Sequence, residues 1–480
     1  MNYYIGIDLG TSSCKGILVD EKGKLHRESS ASYSVLYPHE NWTEQDPAEW
    51  FGAAKKVLDI LSSGVKQEVR GLSIGGQMHG LVVLDENDRV IRPCILWNDG
   101  RTEKQTEYLN TVVGKDKLSA LTGNIAFAGF TAPKLLWVRE NEPENFERIK
   151  KIMLPKDYLA YMLTGVFSTD YSDASGMLLL DVEHKCWSDE MCEICGITKD
   201  MLPHLYESYE VTGRVKKEYG IPNCVVTAGA GDNAAAAVGT GTVKNGSCNI
   251  SLGTSGTIFI SGDSFSVDPK NALHSFAHAN GKYHLMGCIL TAASARKWWL
   301  EDILGTGDYA ADENDIAASD SGEVIFLPYL SGERSPHNDV NARGAFIGLS
   351  STTTKAQMSR AVMEGVAFAL RDCLEVAKSN GICPTGTTLC GGGAKSKVWR
   401  QIIADVMNIP VKLLRTEQGP SMGGAILAMV GAGEYKTVAE AAEKIVSVAE
   451  TVYPDEDSVE KYEKKYRYFA RLYPALRDAK

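Results

Sequence analysis

The sequence predicts an α/β fold of two related domains that enclose a central cleft. It opens on two short apolar strands joined by a turn of small residues, and the Leu-Gly-Thr-Ser motif of that turn, at residues 9–12, recurs at residues 252–255. The recurrence lies about half a chain later, which indicates an internal duplication. We therefore predict an N-terminal domain at residues 1–245 and a C-terminal domain at residues 246–480, with a ligand bound between them.

Composition and charge exclude several classes of protein. The chain has 480 residues, of which 44% are hydrophobic and 23% charged, and this length is enough for roughly two to four domains with sizeable cores. The net charge of −11 argues against a nucleic-acid partner, because phosphate backbones bind basic surfaces. No stretch reaches about 18 uninterrupted apolar residues, and the first residues predict a strand rather than a leader peptide. We expect a cytoplasmic protein without a membrane partner.

The cysteines favour reduced thiols. There are eleven, an odd number, and most lie in apolar segments, which is unlike a disulfide framework. One group contains a Cys-x-x-Cys pair, and its members are His184, Cys186, Cys192 and Cys195. The pair lacks a second matching pair, so we expect no structural zinc site there.

The first turn lies in IGIDLGTSSCKGILVD, residues 5–20, where the pattern predicts strands at residues 4–7 and 14–19. Glycine lets a ligand approach the backbone closely, and the N–H groups and hydroxyls of such a turn can bind phosphate oxygens. Asp8 is a predicted water-mediated Mg²⁺ ligand. The predicted phosphate-binding residues are Gly10, Thr11, Ser12 and Lys15. The alternative is an ordinary β-turn at a sheet edge.

The second turn lies in SLGTSGTIFISGD, residues 251–263. Ser251 stands at the position of Asp8, so the two copies differ at the acidic residue. By their match with the first turn, the predicted phosphate-binding residues are Gly253, Thr254 and Ser255.

A third glycine-rich segment follows a predicted strand at residues 388–390. Its spacing is neither that of a dinucleotide-binding loop nor that of a P-loop. The glycines are Gly391, Gly392 and Gly393, and they precede a predicted helix whose apolar face carries Val398, Ile402, Ile403 and Val406. Strand, glycines and helix in this order predict a phosphate- or base-binding element. The alternative is a glycine turn that only packs the helix on the strand.

Polar side chains and an aromatic ring gather at predicted strand ends between residues 74 and 102. Strands predicted at residues 81–84 and 92–97 are joined as a hairpin. The side chains at the strand ends are Gln77, His79, Trp97, Asn98 and Asp99. Each hydroxyl of a polyhydroxylated ligand needs a donor or an acceptor, and a sugar face packs on an indole. For His79 the alternative is a purely structural role.

Asp232 is the candidate general base. With Asn233 it follows a predicted strand at residues 225–228 and a few small residues, and it precedes an alanine-rich helix. The small neighbours leave room for a substrate at the carboxylate, as a general base requires. Asp is also a common helix N-cap, so a capping role is the alternative.

These segments resemble the FGGY carbohydrate kinases, a family within the actin and hexokinase-like ATPase fold. GFTAPKLLWVREN, residues 129–141, and GAFIGLSSTTTKAQMSRAVME, residues 344–364, are similar to the two signature segments of the family. The resemblance covers essentially the whole chain and implies two ribonuclease H-like domains, the N-terminal one for the sugar and the C-terminal one for ATP. It implies that Asp232 is the catalytic base, that Met78 and His79 bind the sugar, and that the glycine-rich turns hold ATP.

Within the family, GGQMHG, ILWNDGRT, LPKDYL, HSFAHA and LPYLSGERSPHN resemble the members that phosphorylate D-xylulose. We therefore expect transfer of the γ-phosphoryl group of ATP, with Mg²⁺, to O5 of D-xylulose. The alternatives are family members that act on ribulose, gluconate or glycerol and, from another class, an actin-like ATPase chaperone. Glycerol kinases carry Arg-Glu-Thr where this chain has Met78, His79 and Gly80. A homodimer is the assembly to test.

The C-terminal segment EDSVEKYEKKYRYFARLYPALRD, residues 456–478, predicts a closing amphipathic helix. The apolar residues on its predicted inner face are Val459, Tyr462, Tyr466 and Phe469.

Overall fold

Two α/β halves make up the protein in a computed structural model that describes residues 1–319, 322–416 and 418–477. The strands of the first half are β1 (Tyr3–Leu9), β2 (Ser13–Asp20), β3 (Leu25–Ser32), β4 (Glu44–Gln45), β5 (Val69–Gly76), β6 (Val82–Leu84), β7 (Cys94–Ile95), β8 (Lys151–Met153), β9 (Ser168–Asp170), β10 (Leu180–Asp181), β11 (Cys186–Trp187), β12 (His204–Tyr206), β13 (Val211–Arg214), β14 (Val225–Thr227) and β15 (Ala230–Gly231). Its helices are α1 (Pro47–Ser62), α2 (Glu103–Tyr108), α3 (Lys115–Thr122), α4 (Thr131–Asn141), α5 (Pro143–Glu147), α6 (Pro155–Thr164), α7 (Tyr171–Ala174), α8 (Asp189–Cys195) and α9 (Asp232–Gly239).

The second half repeats this mixture of strands and helices. Its strands are β16 (Cys248–Leu252), β17 (Gly256–Gly262), β18 (His274–Ala277), β19 (Tyr283–Ile289), β20 (Ile325–Leu327), β21 (Ala345–Ile347), β22 (Thr387–Cys390), β23 (Val411–Leu414) and β24 (Val448–Val452). Its helices are α10 (Ala293–Lys297), α11 (Tyr309–Ala317), α12 (Lys355–Ser379), α13 (Lys397–Met407), α14 (Gly419–Gly431), α15 (Val438–Ile445) and α16 (Glu456–Arg477). Within the described ranges, no helix combines the length and the apolar character needed to cross a bilayer.

Each half is built on a seven-stranded sheet, and six strands of each sheet follow one shared order, with β18 and β15 outside it. The first has the order β13, β14, β5, β1, β2, β3, with β15 paired to β5, and the second has the order β18, β19, β17, β16, β22, β23, β24. β1 pairs antiparallel with β2 and parallel with β5, as β16 does with β17 and β22. The repeated turns follow β1 and β16, so they mark the same point of both sheets. The predicted duplication is confirmed.

Helix α14 returns to the first sheet although it follows the second sheet in the chain. It packs on α9, β1 and β5, and Ala425 and Ile426 belong to the hydrophobic core of the first half. The approach is close, because a Cβ on Gly6 would lie 1.8 Å from the carbonyl oxygen of Ser421. A boundary at residue 245, which we retain as a proposal, separates the two sheets, whereas α14 joins the two halves.

The C-terminal helix α16 closes the second half. Tyr462, Tyr466 and Phe469 are buried and surround the ring of Phe368 on α12, with centroid distances of 6.0, 6.0 and 5.2 Å. Val459, predicted for the same face, is half-buried.

The hairpin predicted at residues 81–97 forms only in part. Antiparallel bridges join its two arms at Leu84–Val90 and Leu81–Ile95, and the N–H of Ile91 donates to the Val83 carbonyl at 3.0 Å. The regular ladders go elsewhere, because β6 pairs with β8 and β7 pairs with β4. Pro93 lies within the predicted second strand, and proline has no N–H to donate to a ladder. The strand therefore shortens to the two residues of β7.

Candidate active site

Three candidate residues lie side by side at the carboxyl ends of neighbouring strands in the first sheet. Asp8 is the penultimate residue of β1, Gln77 follows β5, and Asp232 follows β15. Because β5 is parallel to both β1 and β15, the three positions meet at one edge of the sheet. This edge is where α/β sheets bind their ligands.

The Asp232 carboxylate is half-buried and does not cap a helix. Helix α9 begins at Asp232 itself, with Gly231 in the capping position and no side-chain cap hydrogen bond. Its Oδ1 accepts hydrogen bonds from the N–H and Nδ2 of Asn233, at 2.7 and 2.9 Å. Burial raises the pKa of Asp232 to about 6, and the bonds from Asn233 oppose that rise. Such a carboxylate is ionised at neutral pH and basic enough to accept a hydroxyl proton in a transition state.

Asp8 lies near Asp232, and their charges repel each other. Burial and then the charge of Asp232 raise the pKa of Asp8 to about 7, while Lys15 opposes the rise. A divalent cation at Asp8 would favour its ionised form. Across the described ranges, no cluster of three or more acidic, histidine or cysteine side chains could hold a metal. Mg²⁺ is usually bound by only one or two carboxylates, so Asp8 would fit the ion.

The Met78 side chain lies against the segment that carries Asp232. A Cβ on Gly231 would come within 2.9 Å of Met78 Cγ and Sδ, and the Nδ2 of Asn233 lies 4.0 Å from Met78 Sδ. The structure therefore brings Met78, Asp232 and Asn233 together, as predicted for a sugar site.

His79 is a neutral imidazole with a defined orientation. Its Nδ1–H donates to the Gly176 carbonyl at 2.8 Å, and its ring stacks on Phe130 with 4.7 Å between centroids. Burial, and next the charge of Lys134, lowers the pKa of His79 to about 3. Because Nδ1 carries the proton, Nε2 is the acceptor atom of the ring.

Gln77, Trp97 and Asn98 are engaged in contacts within the first half. Gln77 is buried, and its Nε2 donates to Gln45 Oε1 at 2.9 Å. Trp97 is 41% exposed, and its indole N–H donates to Thr11 Oγ1 at 3.0 Å. Asn98 Oδ1 accepts from Thr43 Oγ1 at 2.9 Å. Trp97 thus joins the sugar candidates to the first turn, whereas Asn98 is held by the loop before β4.

One cavity of about 460 Å³ brings Asp232 together with nucleotide candidates of the second half. Its lining from the first half includes Asp232 and Asn233, and from the second half Ser251, Gly253, Ser255, Gly391, Thr416 and Gly419. The second turn and the third glycine-rich segment therefore face the candidate base across the cleft.

A second cavity, of about 610 Å³, shares the second turn with the first. Residues that line it are Thr254, Arg296, Lys297, Trp298, Tyr309, Gly392 and Gly393. Gly391, which lines the first cavity, has φ 89°, and a Cβ there would lie 2.7 Å from the Leu252 carbonyl oxygen. Glycine is therefore required here by the backbone conformation and by the close approach of the Leu252 main chain.

The first turn lines neither of these two cavities. The N–H of Gly10 donates to the Ser13 carbonyl at 3.0 Å. The Thr11 carbonyl accepts from the Nε2 of buried Gln45 at 2.6 Å, and Ser12 is exposed. Lys15 Nζ lies 3.3 Å from Glu28. The assignment of these residues to phosphate binding stays a prediction.

Sequence reasoning missed Thr416 and Gly419 in the cleft. Both follow β23, a parallel strand of the second sheet, and Gly419 begins α14. A strand followed by glycine and a helix start is the signal that pointed to Asp232, and it was present here as well.

The His184 group does not gather around one point. His184 Nδ1 lies 2.9 Å from Asp181 Oδ2, Cys192 and Cys195 are buried on α8, and Cys186 is exposed. None of the eleven cysteines, all of which fall in the described ranges, forms a disulfide.

Comparison with known proteins gives matches over the full length. The FGGY family of carbohydrate kinases matches through its N-terminal domain at residues 3–239 and its C-terminal domain at residues 248–432. The xylulose kinase of Escherichia coli (strain K12) is 42% identical, covering 98% of this chain and 99% of that protein. The crystal structure of a xyloylose kinase from Brucella ovis has a TM-score of 0.95 at 39% identity, with 100% of both chains covered. A gluconate kinase from Lactobacillus acidophilus has a TM-score of 0.94 at 27% identity, covering 99% of this chain and 98% of that one.

Proposed function

This chain belongs to the FGGY family of carbohydrate kinases, and on that premise we propose that it transfers the γ-phosphoryl group of ATP to O5 of D-xylulose. The O5–H bond breaks and its proton passes to Asp232. O5 bonds to the γ-phosphorus while the bond from that phosphorus to the bridging oxygen of ADP breaks. The products are D-xylulose 5-phosphate and ADP.

The observation that supports this reaction is the place of Asp232. Its carboxylate lines the cavity that contains the second turn, while its neighbour Asn233 contacts Met78 of the sugar site. A base between a sugar and a phosphate site can take the hydroxyl proton as the oxygen attacks the phosphorus. An actin-like chaperone has no use for a base beside a sugar site.

On the sugar side, we assign binding to Met78, His79 and Asn233. His79 Nε2 accepts a hydrogen bond from one sugar hydroxyl, since Nδ1 is committed to Gly176. Asn233 offers a side-chain amide, and Met78 offers an apolar wall to the carbon skeleton. The exposed indole of Trp97 is the surface on which a sugar face can pack.

On the nucleotide side, we assign the triphosphate to the cavity with Gly253, Ser255 and Gly391, and the adenosine to the cavity with Trp298. Backbone N–H groups at glycines bind phosphate oxygens without side-chain obstruction. Arg296 and Lys297 also line the second cavity, where Arg296 is paired with Asp312 and Glu313.

Asp8 is the residue that would hold Mg²⁺, through water. When bound, the ion neutralises charge on the phosphates. The protein contributes position, because phosphoryl transfer depends on alignment and charge stabilisation more than on covalent help. Closure of the two halves over the substrates excludes water, which otherwise competes as acceptor.

The choice of sugar is supported by the relatives and by the Met78–His79 pair. The relative from Escherichia coli bears the name xylulose kinase, and Met78 and His79 stand where glycerol kinases carry Arg-Glu. Gluconate is the second candidate, because a gluconate kinase shares the fold over 99% of this chain.

A coupled assay of ADP release over D-xylulose, ribulose, fuculose, gluconate and glycerol tests the proposal. We expect the highest kcat/KM with D-xylulose, and ³¹P NMR of the product should show a phosphomonoester on the terminal carbon. Equal turnover of glycerol would overturn the sugar assignment. ADP release that no sugar accelerates would overturn the kinase function itself.

We further propose a cytoplasmic homodimer. Sedimentation velocity at micromolar concentration should give the mass of two chains of 52.2 kDa, and a single species of one chain would contradict this.

A further inference from the structure

Lys134 is a buried cation without an acidic partner. It lies in the first turn of α4, is 0% exposed, and donates from Nζ to the carbonyl oxygens of His79 and Gly129 at 2.8 and 2.7 Å. No carboxylate of the described residues lies within the 4.0 Å of an ion pair, and burial lowers the pKa of Lys134 to about 7. A buried ammonium without a counter-ion is costly, so the two carbonyl contacts require an explanation.

One of these contacts falls on a strained residue of the sugar site. His79 has φ 69°, in the left-handed region that is strained for a residue with a Cβ. Its carbonyl oxygen accepts from Lys134 and also from Thr131 Oγ1, at 3.1 Å. Two donors on one carbonyl hold the peptide after His79 in a single orientation.

The other contact falls on the chain that supports the His79 ring. Gly129 immediately precedes Phe130, on which the imidazole stacks. One ammonium therefore connects the main chain of His79 to the segment that carries its stacking partner. An apolar side chain of the same length could fill the space but could not make this connection.

We propose that Lys134 is a positioning residue for the sugar: by holding the His79 carbonyl and the Gly129 carbonyl, it fixes the direction in which His79 Nε2 meets a sugar hydroxyl. Lys134 does not touch the substrate. Its charge also disfavours protonation of His79, which keeps the acceptor lone pair available. The inference rests on the proposed function only in taking Nε2 as a sugar contact.

Lys134→Met tests the proposal by kinetics. Loss of hydrogen bonds from a charged donor should raise KM for D-xylulose about 10- to 100-fold, with kcat within about threefold and KM for ATP unchanged, as expected for uniform binding. Thr131→Val removes the weaker donor and should raise the same KM by about two- to tenfold. In a His79→Ala background, Lys134→Met should change KM little further. Full additivity of the two substitutions would overturn the proposal.

Arg139→Met is the matched control. Arg139 lies in the last turn of the same helix and donates from Nη1 to the Ile194 carbonyl at 3.0 Å, so the variant removes a similar bond away from His79. KM for the sugar should stay at the wild-type value. An equal rise in Arg139→Met would show that Lys134 acts only through the stability of α4.

A second measurement needs no turnover. In ¹⁵N-histidine NMR spectra, the His79 signal, identified by its absence in His79→Ala, should show the Nδ1-protonated neutral form in the wild type. Lys134→Met, or Thr131→Val if the former does not fold, should shift or broaden this signal. An unchanged signal would overturn the proposal. This measurement does not depend on the identity of the sugar; if another sugar is the substrate, the KM comparison is made with that sugar.

Discussion

Asp232→Asn separates a catalytic base from a structural aspartate. Asparagine keeps the shape and the contacts with Asn233 but cannot accept a proton, and a general base contributes about 10² to 10⁴ in rate. We expect kcat to fall by that factor with KM for both substrates within a few-fold. In the wild type, kcat/KM should rise with pH through about 6, because the base works only when ionised. At pH 5 only about one tenth of the carboxylate is ionised, so activity there should be about a tenth of its plateau.

Although kcat falls in Asp232→Asn, the free energy of unfolding of this variant should not fall. The pKa of Asp232 is raised from 3.8 to about 6, so the ionised carboxylate opposes folding once the pH exceeds the unfolded value. The penalty grows to at most about 3 kcal/mol above pH 6. Asp232→Asn removes this penalty, and its Tm at pH 8 should equal or exceed that of the wild type, with the gain vanishing below about pH 4.

The assay measures kcat and Tm for Asp232→Asn and Asp232→Ala, with Asp46→Ala as control. Asp46 caps α1 and accepts from the Ala48 N–H at 2.9 Å, so its loss should cost about 0.5–2 kcal/mol and leave kcat unchanged. If Asp232→Asn retains kcat within a few-fold of the wild type, Asp232 is not the base and the mechanism is wrong; a loss of stability in Asp232→Ala like that of Asp46→Ala would then assign Asp232 a structural role.

Three further outcomes are expected. His79→Ala should raise KM for the sugar more than it lowers kcat, since it removes a binding contact; a collapse of kcat at constant KM would assign His79 to the chemistry. Gly253→Val should raise KM for ATP about tenfold or more and leave the sugar affinity intact. A Cβ at Gly253 would lie 3.4 Å from the nearest protein atom, so the variant can fold, while the rest of the valine side chain extends into the cleft. Gly10→Val tests the first turn in the same way, and an unchanged ATP affinity in both variants would make the repeat purely structural. Mg²⁺ should raise the Tm of the wild type at pH 8 but not that of Asp8→Asn, as mass action requires of a ligand of the folded state; equal protection of both would remove Asp8 from the metal site.

Local sequence patterns were sufficient for the two hairpins that carry the repeated turns, for the glycine-rich turns and for the closing helix. Apolar residues on both sides of residues 9–12 predicted β1 and β2 within two residues at their inner ends, and the repeat at 252–255 predicted the second copy. The fold class, two ribonuclease H-like domains of the actin and hexokinase type, is confirmed by solved structures that cover the whole chain. These features depend on residues that are close in sequence, where periodicity and turn chemistry act directly.

The relations between distant segments were decided by the tertiary structure alone. The charge of Asp232 raises the pKa of Asp8 only because β1, β5 and β15 end at one edge of a sheet. α14 follows the second sheet in the chain but belongs to the core of the first. Lys134 stands among apolar residues, and nothing near it in the sequence indicates that its ammonium lies against the carbonyl of His79. Such contacts depend on strand order and helix placement, which burial of the whole chain determines and no local window of residues contains.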